Sequence, residues 1–523
     1  MANMGPQSSK VSLAFQCEGL ADKDVTSKSD PFVVVYQADP LRTPLIWVFL
    51  GRTEVKKNAL SPKFDTQVAM EFHFERKQPL KFEVLDCDDP SQINNLSKHD
   101  PLGSAITELS FIVGRRGTAT LNLSAPSTKG KITVSALEIG GDNNEFFDFT
   151  PEGVALAKMD TFGSCDGYLK IFRIAPSGAQ VALYQTEVIK NTLTPKWKAA
   201  SIGIPSLCGG HRDDPCIYVE CWDQDMVTDE ILGSFKVSVN QILQSQSFEL
   251  KSVKGKGKGV VQFNARARRV PSLLDYLRAG FQLNLASSID FTGSNGDPRN
   301  PTSLHFMNPQ APNEYMHGVM AVGEILTNYV TDKRFGCYGF GGRLPDGNVS
   351  HYFPLSLDPR APDVGSVQEI LNLYAATLLR VGLSGPTNFA PTINAAVVSA
   401  RQRRHTYSIL LILTDGDITD MMDTVDAIVA ADDAPLSIVI VGIGAHDFMG
   451  MQQLDADDRA LVSTTGRTSR RDTVQFVPFR KFAACQPMLA AEVLKEIPQQ
   501  FLKWTQLANV PPPVGVPVVQ TTA

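Results

Sequence analysis

The eight cysteines form no C-x-x-C pair, so neither a zinc site of that spacing nor a dithiol redox motif is present. Most sit beside apolar or strand-like residues, the setting of reduced buried thiols, which points to the cytosol. No apolar run approaches the roughly 20 residues of a membrane-spanning helix; the best, Ser408–Leu413, has the length of a core strand. The N-terminus MANMGPQSSK lacks the basic and apolar regions of a signal peptide. Ala2 in place of glycine excludes acylation at this start, and a start at Met4 would leave Pro6 directly behind Gly5, a poor acylation site. There is no G-x-x-x-x-G-K-[ST], no H-E-x-x-H and no G-x-S-x-G. The eight histidines are dispersed, and His305, His317 and His405 have no metal-ligand spacing. The chain is therefore not expected to be an enzyme. A formal charge of −6 favours no nucleic-acid partner.

What is present is ordinary globular composition, 43% hydrophobic and 20% charged, over 523 residues, enough for three or four domains. Self-comparison finds a repeat. Thr53–Asp65 (TEVKKNALSPKFD) and Thr186–Lys198 (TEVIKNTLTPKWK) share eight of thirteen residues at an offset of 133. An Asp-x5-Asp precedes each: Asp24 and Asp30, then Asp160 and Asp166. A strand ending in Asp-x-Asp follows each, Asp86 and Asp88, then Asp223 and Asp225, and both copies go on to a Leu-Gly pair. Each copy reads as alternating strands with Pro/Gly/Asn turns, a β-sandwich. The expected spans are 1–140 and 150–269. After Pro271, apolar strands (Gln282–Ile289, Ser408–Leu413, Ser437–Val441) alternate with helical stretches (Glu314–Asn328, Val367–Leu379, Met421–Ala430). That is a doubly wound, Rossmann-like α/β domain over 270–508. The proline-rich tail 509–523 is expected to be disordered.

In the first copy two loops gather Asp24, Asp30, Asp86 and Asp88, with Asp100 as a fifth. Residues two apart on a strand share a face, so Asp86 and Asp88 point together. Crowded carboxylates raise one another's pKa, and a hard cation with six to eight oxygen ligands, Ca²⁺, resolves the conflict. A single Asp-x-Asp is more simply a turn or cap; two matching sets are not. In the second copy Gly167 replaces the proline after the loop aspartate, and Glu230, beside Asp229, stands where Asp100 stood, so weaker Ca²⁺ binding is expected there. Apolar residues beside these ligands, Val25, Ile93 and Leu96, then Phe162, Met226 and Val227, are candidates to enter lipid headgroups; the alternative is that they fold back as satellite cores. Lys251, Lys254, Lys256 and Lys258, followed by Arg266, Arg268 and Arg269, form a basic cluster suited to anionic lipid or simply a solvated loop.

In the third domain Asp290, Thr292 and Ser294 follow the strand QLNLASSI, where open parallel sheets bind ligands. Thr387 precedes a helical stretch and Asp415 follows a second apolar strand. Two carboxylates with neutral hydroxyls would leave Mg²⁺ or Mn²⁺ electron-poor, with room for water or a partner's carboxylate.

The motifs S-K-S-D-P-F, T-E-V-x-K-N-x-L-x-P-K and the D-x-D loop resemble C2 domains, and D-F-T-x-S resembles the metal-ion-dependent adhesion site of von Willebrand A domains. Together with G-P-T-N-F-A-P, L-I-L-T-D-G and V-Q-F-V-P-F-R, from about Val11 to Phe482, the chain resembles the copine family. That resemblance implies Ca²⁺-dependent binding to anionic phospholipid membranes, with lipid phosphates completing the Ca²⁺ shell. It also implies recruitment of protein partners through the A domain, in trafficking or signalling, by a cytoplasmic protein peripheral at membranes. The alternatives are a metal-dependent phosphoryl-transfer or hydrolytic enzyme at Asp290/Asp415, and a Ca²⁺-independent membrane scaffold.

Overall fold

The computed structural model describes residues 9–24, 27–42, 44–126, 128–139, 145–158, 164–209, 211–225, 228–251, 259–455 and 459–514. The repeat in the sequence is a repeat in the fold, strand for strand. The first copy runs β1 (Ser9–Glu18), β2 (Pro31–Ala38), β3 (Trp47–Arg52), β4 (Val68–Phe72), β5 (Pro79–Asp86), β6 (Asp100–Glu108), a short helix α1 (Leu109–Gly114), β7 (Thr118–Asn122) and β8 (Lys131–Glu138). Its two antiparallel sheets have the orders β4-β1-β8-β7 and β3-β2-β5-β6. The second copy runs β9 (Glu145–Val154), β10 (Gly167–Ile174), β11 (Gln180–Gln185), β12 (Ala200–Gly203), α2 (Ile204–Cys208), β13 (Ile217–Asp223), β14 (Glu230–Val237), α3 (Val239–Ser245), β15 (Ser247–Glu249) and β16 (Val260–Arg269). Its sheets, β12-β9-β16-β15 and β11-β10-β13-β14, reproduce the first pair. Alternation drives both: in β4 and β13 every second residue is buried, so one face of each strand fills the sandwich.

The shared segment explains itself as a brace. Thr53 Oγ1 accepts the Val33 N–H and donates to the Glu54 carbonyl; Thr186 does the same for Leu169 and Glu187. Asn58 and Asn191 both adopt positive φ, at 54° and 55°. Asparagine tolerates that region better than most residues.

The third region begins with α4 (Leu273–Arg278) and β17 (Gln282–Asp290), then α5 (Glu314–Leu326) and β18 (Phe335–Phe340). Five two-residue strands follow, β19 (Gly342–Arg343), β20 (Val349–Ser350), β21 (Phe353–Pro354), β22 (Asp363–Val364) and, after α6 (Val367–Leu378), β23 (Gly382–Leu383). The domain ends with α7 (Ala390–Gln402), β24 (Thr406–Thr414), α8 (Met421–Ala430), β25 (Leu436–Gly442), α9 (Met449–Leu454), β26 (Val474–Pro478), α10 (Gln486–Leu494) and α11 (Ile497–Leu507). The parallel order is β18-β17-β24-β25-β26, with β21 and β22 antiparallel on β18. Both faces are covered. Ile409, Leu411 and Leu413 enter one core while Leu410 and Ile412 enter the other, which is why the strand is apolar without a break.

The chain forms two compact units: residues 140–272, the second sandwich, and the rest. Within the larger unit the first sandwich and one face of the α/β domain share a hydrophobic core. Phe74 and Tyr329 rings lie 4.9 Å apart, Asn328 Nδ2 donates to Ser110 Oγ at 2.8 Å, and Lys77 pairs with Glu324 at 2.5 Å. Gly114 sits so close to the Asn328 carbonyl that a methyl group there would collide with it.

Candidate metal sites

At one end of the first sandwich, β2 starts beside the end of β5. The Asp30 backbone N–H donates to Asp86 Oδ1 at 2.6 Å, and Asp30 Oδ1 accepts the Asn58 N–H at 2.7 Å. Asp88 Oδ2 accepts the Asp100 N–H at 2.9 Å, and Asp100 stands opposite Asp86 in the ladder. Asp24, exposed, accepts from Ser27 Oγ. Asp86 is buried, and its Oδ2 has no hydrogen-bond partner. Burial raises its pKa, against the pull of the Ser29 hydroxyl and the Asp30 N–H, and the charges of Asp24 and Asp88 add to the rise. A buried carboxylate oxygen left bare, inside a set of like charges, is the situation a hard cation relieves. The residues fit Ca²⁺, and Asp24, Asp30, Asp86 and Asp88 are the ones that would hold it.

The second sandwich repeats the skeleton. The Asp166 N–H donates to Asp223 Oδ1 at 2.6 Å, and Asp166 Oδ1 accepts the Asn191 N–H at 2.7 Å. Glu230 faces Asp223 in the ladder, as Asp100 faces Asp86. The difference lies in Asp229, whose carboxylate takes the Tyr168 hydroxyl at 2.6 Å and the Asp225 N–H at 3.3 Å. Tyr168 replaces Phe32, which packs in the first sandwich against the ring of His99. Asp160, Val25, Phe162, Met226, Val227, Lys254, Lys256 and Lys258 lie outside the described residues.

One expectation about the loops needs correction. Ile93 and Leu96 do not project as tips; they pack, half-buried, against the cluster of Phe32, Val34, Leu85 and Cys87. The 89–99 loop closes over that cluster because Asp89 caps the turn at Ser91 and His99 reaches the Gln92 carbonyl. Exposed apolar residues of this sandwich cluster elsewhere: Leu45, Ile46, Val48 and Phe49, 43–59% exposed, lie at the far end of β2 from Asp30. The arginines that follow the lysine cluster are partly spent inside their own sandwich. Arg268 grips Asp148 with two hydrogen bonds (2.7 and 3.2 Å), and Arg266 lies 3.5 Å from the same carboxylate. Lys251 is exposed.

In the α/β domain the strand order places the switch point between β17 and β24, where chain direction diverges and ligands bind at strand carboxyl ends. Asp290 ends β17 and Asp415 follows β24. Asp290 Oδ1 accepts the Thr292 N–H at 2.8 Å and Oδ2 the Thr414 hydroxyl at 2.6 Å. Thr292 Oγ1 and Ser294 Oγ are 3.0 Å apart, and Ser294 Oγ donates to Asp415 Oδ1 at 2.9 Å. Asp415 is buried, with Oδ2 unpartnered. Burial raises both carboxyls, and Asp415 raises Asp290 further. Thr387 is nearly buried, and its loop pairs with Thr419 in both directions. Asp420 holds the start of α7 by accepting from Phe389 and Ala390 N–H groups. Behind the loop, Asn295 accepts from the Tyr315 hydroxyl and His305 stacks on Tyr315 at 4.5 Å. Thr414, Thr419, Asp420 and Asn295 went unnoticed in the sequence; the Thr-Asp of L-T-D-G was the available sign for the first. Two carboxylates, one of them with a bare buried oxygen, and the hydroxyls of Thr292, Ser294 and Thr414 fit a small hard cation such as Mg²⁺ or Mn²⁺, whereas only the backbone of Thr387 is seen bonded. Among the described residues no three His, Cys, Asp or Glu side chains converge as a metal-holding group, so none of the three sites is a preformed all-carboxylate cage.

All eight cysteines are free. No helix among the described residues is long and apolar enough to cross a membrane. A C2 domain family model matches residues 13–122 and 151–252, and a Copine family model matches 303–513. Among solved structures, BON1-C2B is 22% identical over 24% of this chain and 94% of that one, with a TM-score of 0.21. The calcium-bound C2A and C2B domains of Extended-Synaptotagmin 2 are 17% identical over 51% and 97%, also at 0.21. At these scores neither likeness carries weight for function. The domain content itself supports a membrane-associated protein of the calcium- and phospholipid-binding kind. With two C2 domains followed by a Copine domain, the chain matches the copine family.

Proposed function

We propose that this protein is a Ca²⁺-switched peripheral membrane protein whose first C2 domain carries the main switch and whose A domain takes a carboxylate-bearing protein partner through Mg²⁺ or Mn²⁺. The observation that carries the reading is the bare, buried Asp86 Oδ2 among Asp24, Asp30 and Asp88. Ca²⁺ supplies positive charge there and a bridge to lipid phosphate. The protein's own part is to hold Asp30, Asp86 and Asp88 at one rim with backbone N–H groups, beside Asp24, which accepts from Ser27 Oγ. The A domain reads as a binding module: Asp290 is occupied by Thr292 and Thr414, while Asp415 keeps one oxygen free. Such a site offers an electron-poor cation a last ligand from outside, and a Glu or Asp of another protein is the natural donor.

Co-sedimentation with phosphatidylserine vesicles tests the switch. Binding in Ca²⁺, release by EGTA and loss in Asp86→Asn/Asp88→Asn are expected. Equal binding with and without chelator would make the protein a constitutive scaffold and end this reading.

A further inference from the structure

Leu41, Leu45, Ile46, Val48 and Phe49 stand 43–59% exposed on the β2–β3 connection and on β3 itself. From Pro44 to Gly51 the chain (PLIWVFLG) carries no charge. The fold does not ask for this. In the second C2 domain the matching strands, β10 and β11, are joined by a tight turn in which the Ala175 N–H donates to the Ala179 carbonyl. There β11 begins and ends on glutamine, and Val181 is its one exposed large apolar residue. β3 is also the last strand of its sheet, so its outer row of N–H and C=O groups has no ladder partner. Natural edges are guarded by charge, proline or a bulge, because an open edge pairs with other chains. β6, at the other edge of this sheet, carries Asp100, Pro101 and Glu108. The bulge of β3 falls opposite the Val35–Tyr36 junction, and Trp47, Val48 and Phe49 keep regular register with Ala38, Gln37 and Tyr36. The exposed stretch is therefore an unguarded strand edge.

A bilayer is a poor occupant for it. Lipid tails offer no hydrogen bond to an open strand edge. The eight residues of β2, roughly 25 Å, separate the patch from the Ca²⁺ rim at Asp30, so a membrane held there stands at the other end of the sandwich. Arg42 lies 3.7 Å from Asp39, which leaves little charge to draw anionic headgroups. A second copy of the chain meets every requirement. It presents the same edge reversed, so donors meet acceptors and an uncharged face meets an uncharged face, closed by one two-fold axis. The area also suffices: five half-exposed side chains of roughly 150–200 Å² each present about 450 Å², and Trp47 and Arg42 beside them carry the patch past the ~500 Å² per copy that a specific interface needs. The A domain packs on the first C2 domain through Phe74, Lys77 and Ser110, away from β3, and leaves this edge open. We propose that β3 pairs antiparallel with β3 of a second copy, which joins the two β3-β2-β5-β6 sheets into one and covers Ile46, Val48 and Phe49 of both.

Sedimentation velocity of the full chain in EGTA tests it, free of any Ca²⁺ or membrane step. A monomer–dimer equilibrium in the micromolar range is expected. Val48→Lys places a guard on an exposed position and brings two like charges to the axis, so it should weaken the dimer about tenfold or more with an unchanged melting temperature. Should that variant fold poorly, Ile46→Lys, ahead of the strand, should have the same effect. A chain that stays monomeric through the high-micromolar range overturns the proposal. So does a dimer that either folded variant leaves intact. If the monomeric chain in Ca²⁺ then shows tryptophan quenching by brominated phosphatidylserine vesicles, and Trp47→Phe removes it, the hairpin belongs to lipid instead.

Discussion

The Asp30 backbone N–H donates to Asp86 Oδ1 at 2.6 Å, tying the first residue of one metal loop to the buried carboxylate of the other. That bond leaves Asp86 Oδ2 bare, and burial holds the carboxyl above its usual pKa. The sign follows. A carboxyl whose folded pKa is raised binds more protons in the folded state, so the metal-free fold loses stability as pH rises through that range. Ca²⁺ needs the deprotonated form, so its affinity falls as pH drops through the same range. Asp86→Asn should therefore raise the melting temperature in EGTA and erase the Ca²⁺-induced rise seen in wild type. A variant still stabilised by Ca²⁺ to the wild-type extent would remove Asp86 from the site.

The two C2 domains should differ in sensitivity. Asp229 is held by Tyr168 and Asp225, whereas Phe32 offers no hydroxyl at the matching place. In the full chain, Asp86→Asn should shift the Ca²⁺ midpoint for vesicle binding more than Asp223→Asn; the reverse order refutes the ranking. Residues 140–272 form a unit of their own. In that fragment Tyr168→Phe should tighten Ca²⁺ binding by calorimetry, because it frees an oxygen of Asp229.

At the A-domain site, Asp290 and Asp415 destabilise each other while no cation lies between them. Asp415→Asn should raise the metal-free melting temperature by about 2–4 °C, equivalent to ~1 kcal/mol in a domain of this size. Asp290→Ala/Thr387→Ala should lose Mn²⁺-dependent capture of protein partners while Ca²⁺-dependent vesicle binding persists. Recovery of the same proteins by that variant would show the metal to be uninvolved.

The shared core of the first C2 domain and the A domain predicts coupled unfolding. Phe74→Ala removes the ring against Tyr329 and should cost about 3–5 kcal/mol. Gly114→Ala forces a methyl into the Asn328 carbonyl and should cost about 1–3 kcal/mol. Calorimetry should show the transition containing both domains moving as one. Two independent transitions in wild type would contradict a common core.

Arg471 is buried and donates to the carbonyls of Asp432, Ala434 and Leu436 and to the Tyr407 hydroxyl. Arg471→Leu strands those acceptors and should destabilise by roughly 3 kcal/mol or more in urea titrations. A change below about 1 kcal/mol would mean that water replaces the guanidinium.

The sequence alone determined the two matching sandwiches, the parallel sheet and the aspartates that carry charge. Alternation with period two, apolar runs and a thirteen-residue repeat are local signals, written within a few strands of chain. Thr406–Thr414, met in the sequence as Ser408–Leu413, shows how close such signals come. Tertiary structure decided what those residues touch. Ile93 and Leu96 are apolar whether they meet lipid or Phe32, and only the closing of the 89–99 loop over the Phe32 cluster chose the second. Asp229 could not be told from a ligand until Tyr168, 61 residues earlier, was seen donating to it. The bare oxygens of Asp86 and Asp415 and the joining of Phe74 to Tyr329 are likewise facts of packing between distant segments. Hydrogen-bond satisfaction and core sharing depend on who arrives across space, and sequence period carries no record of that.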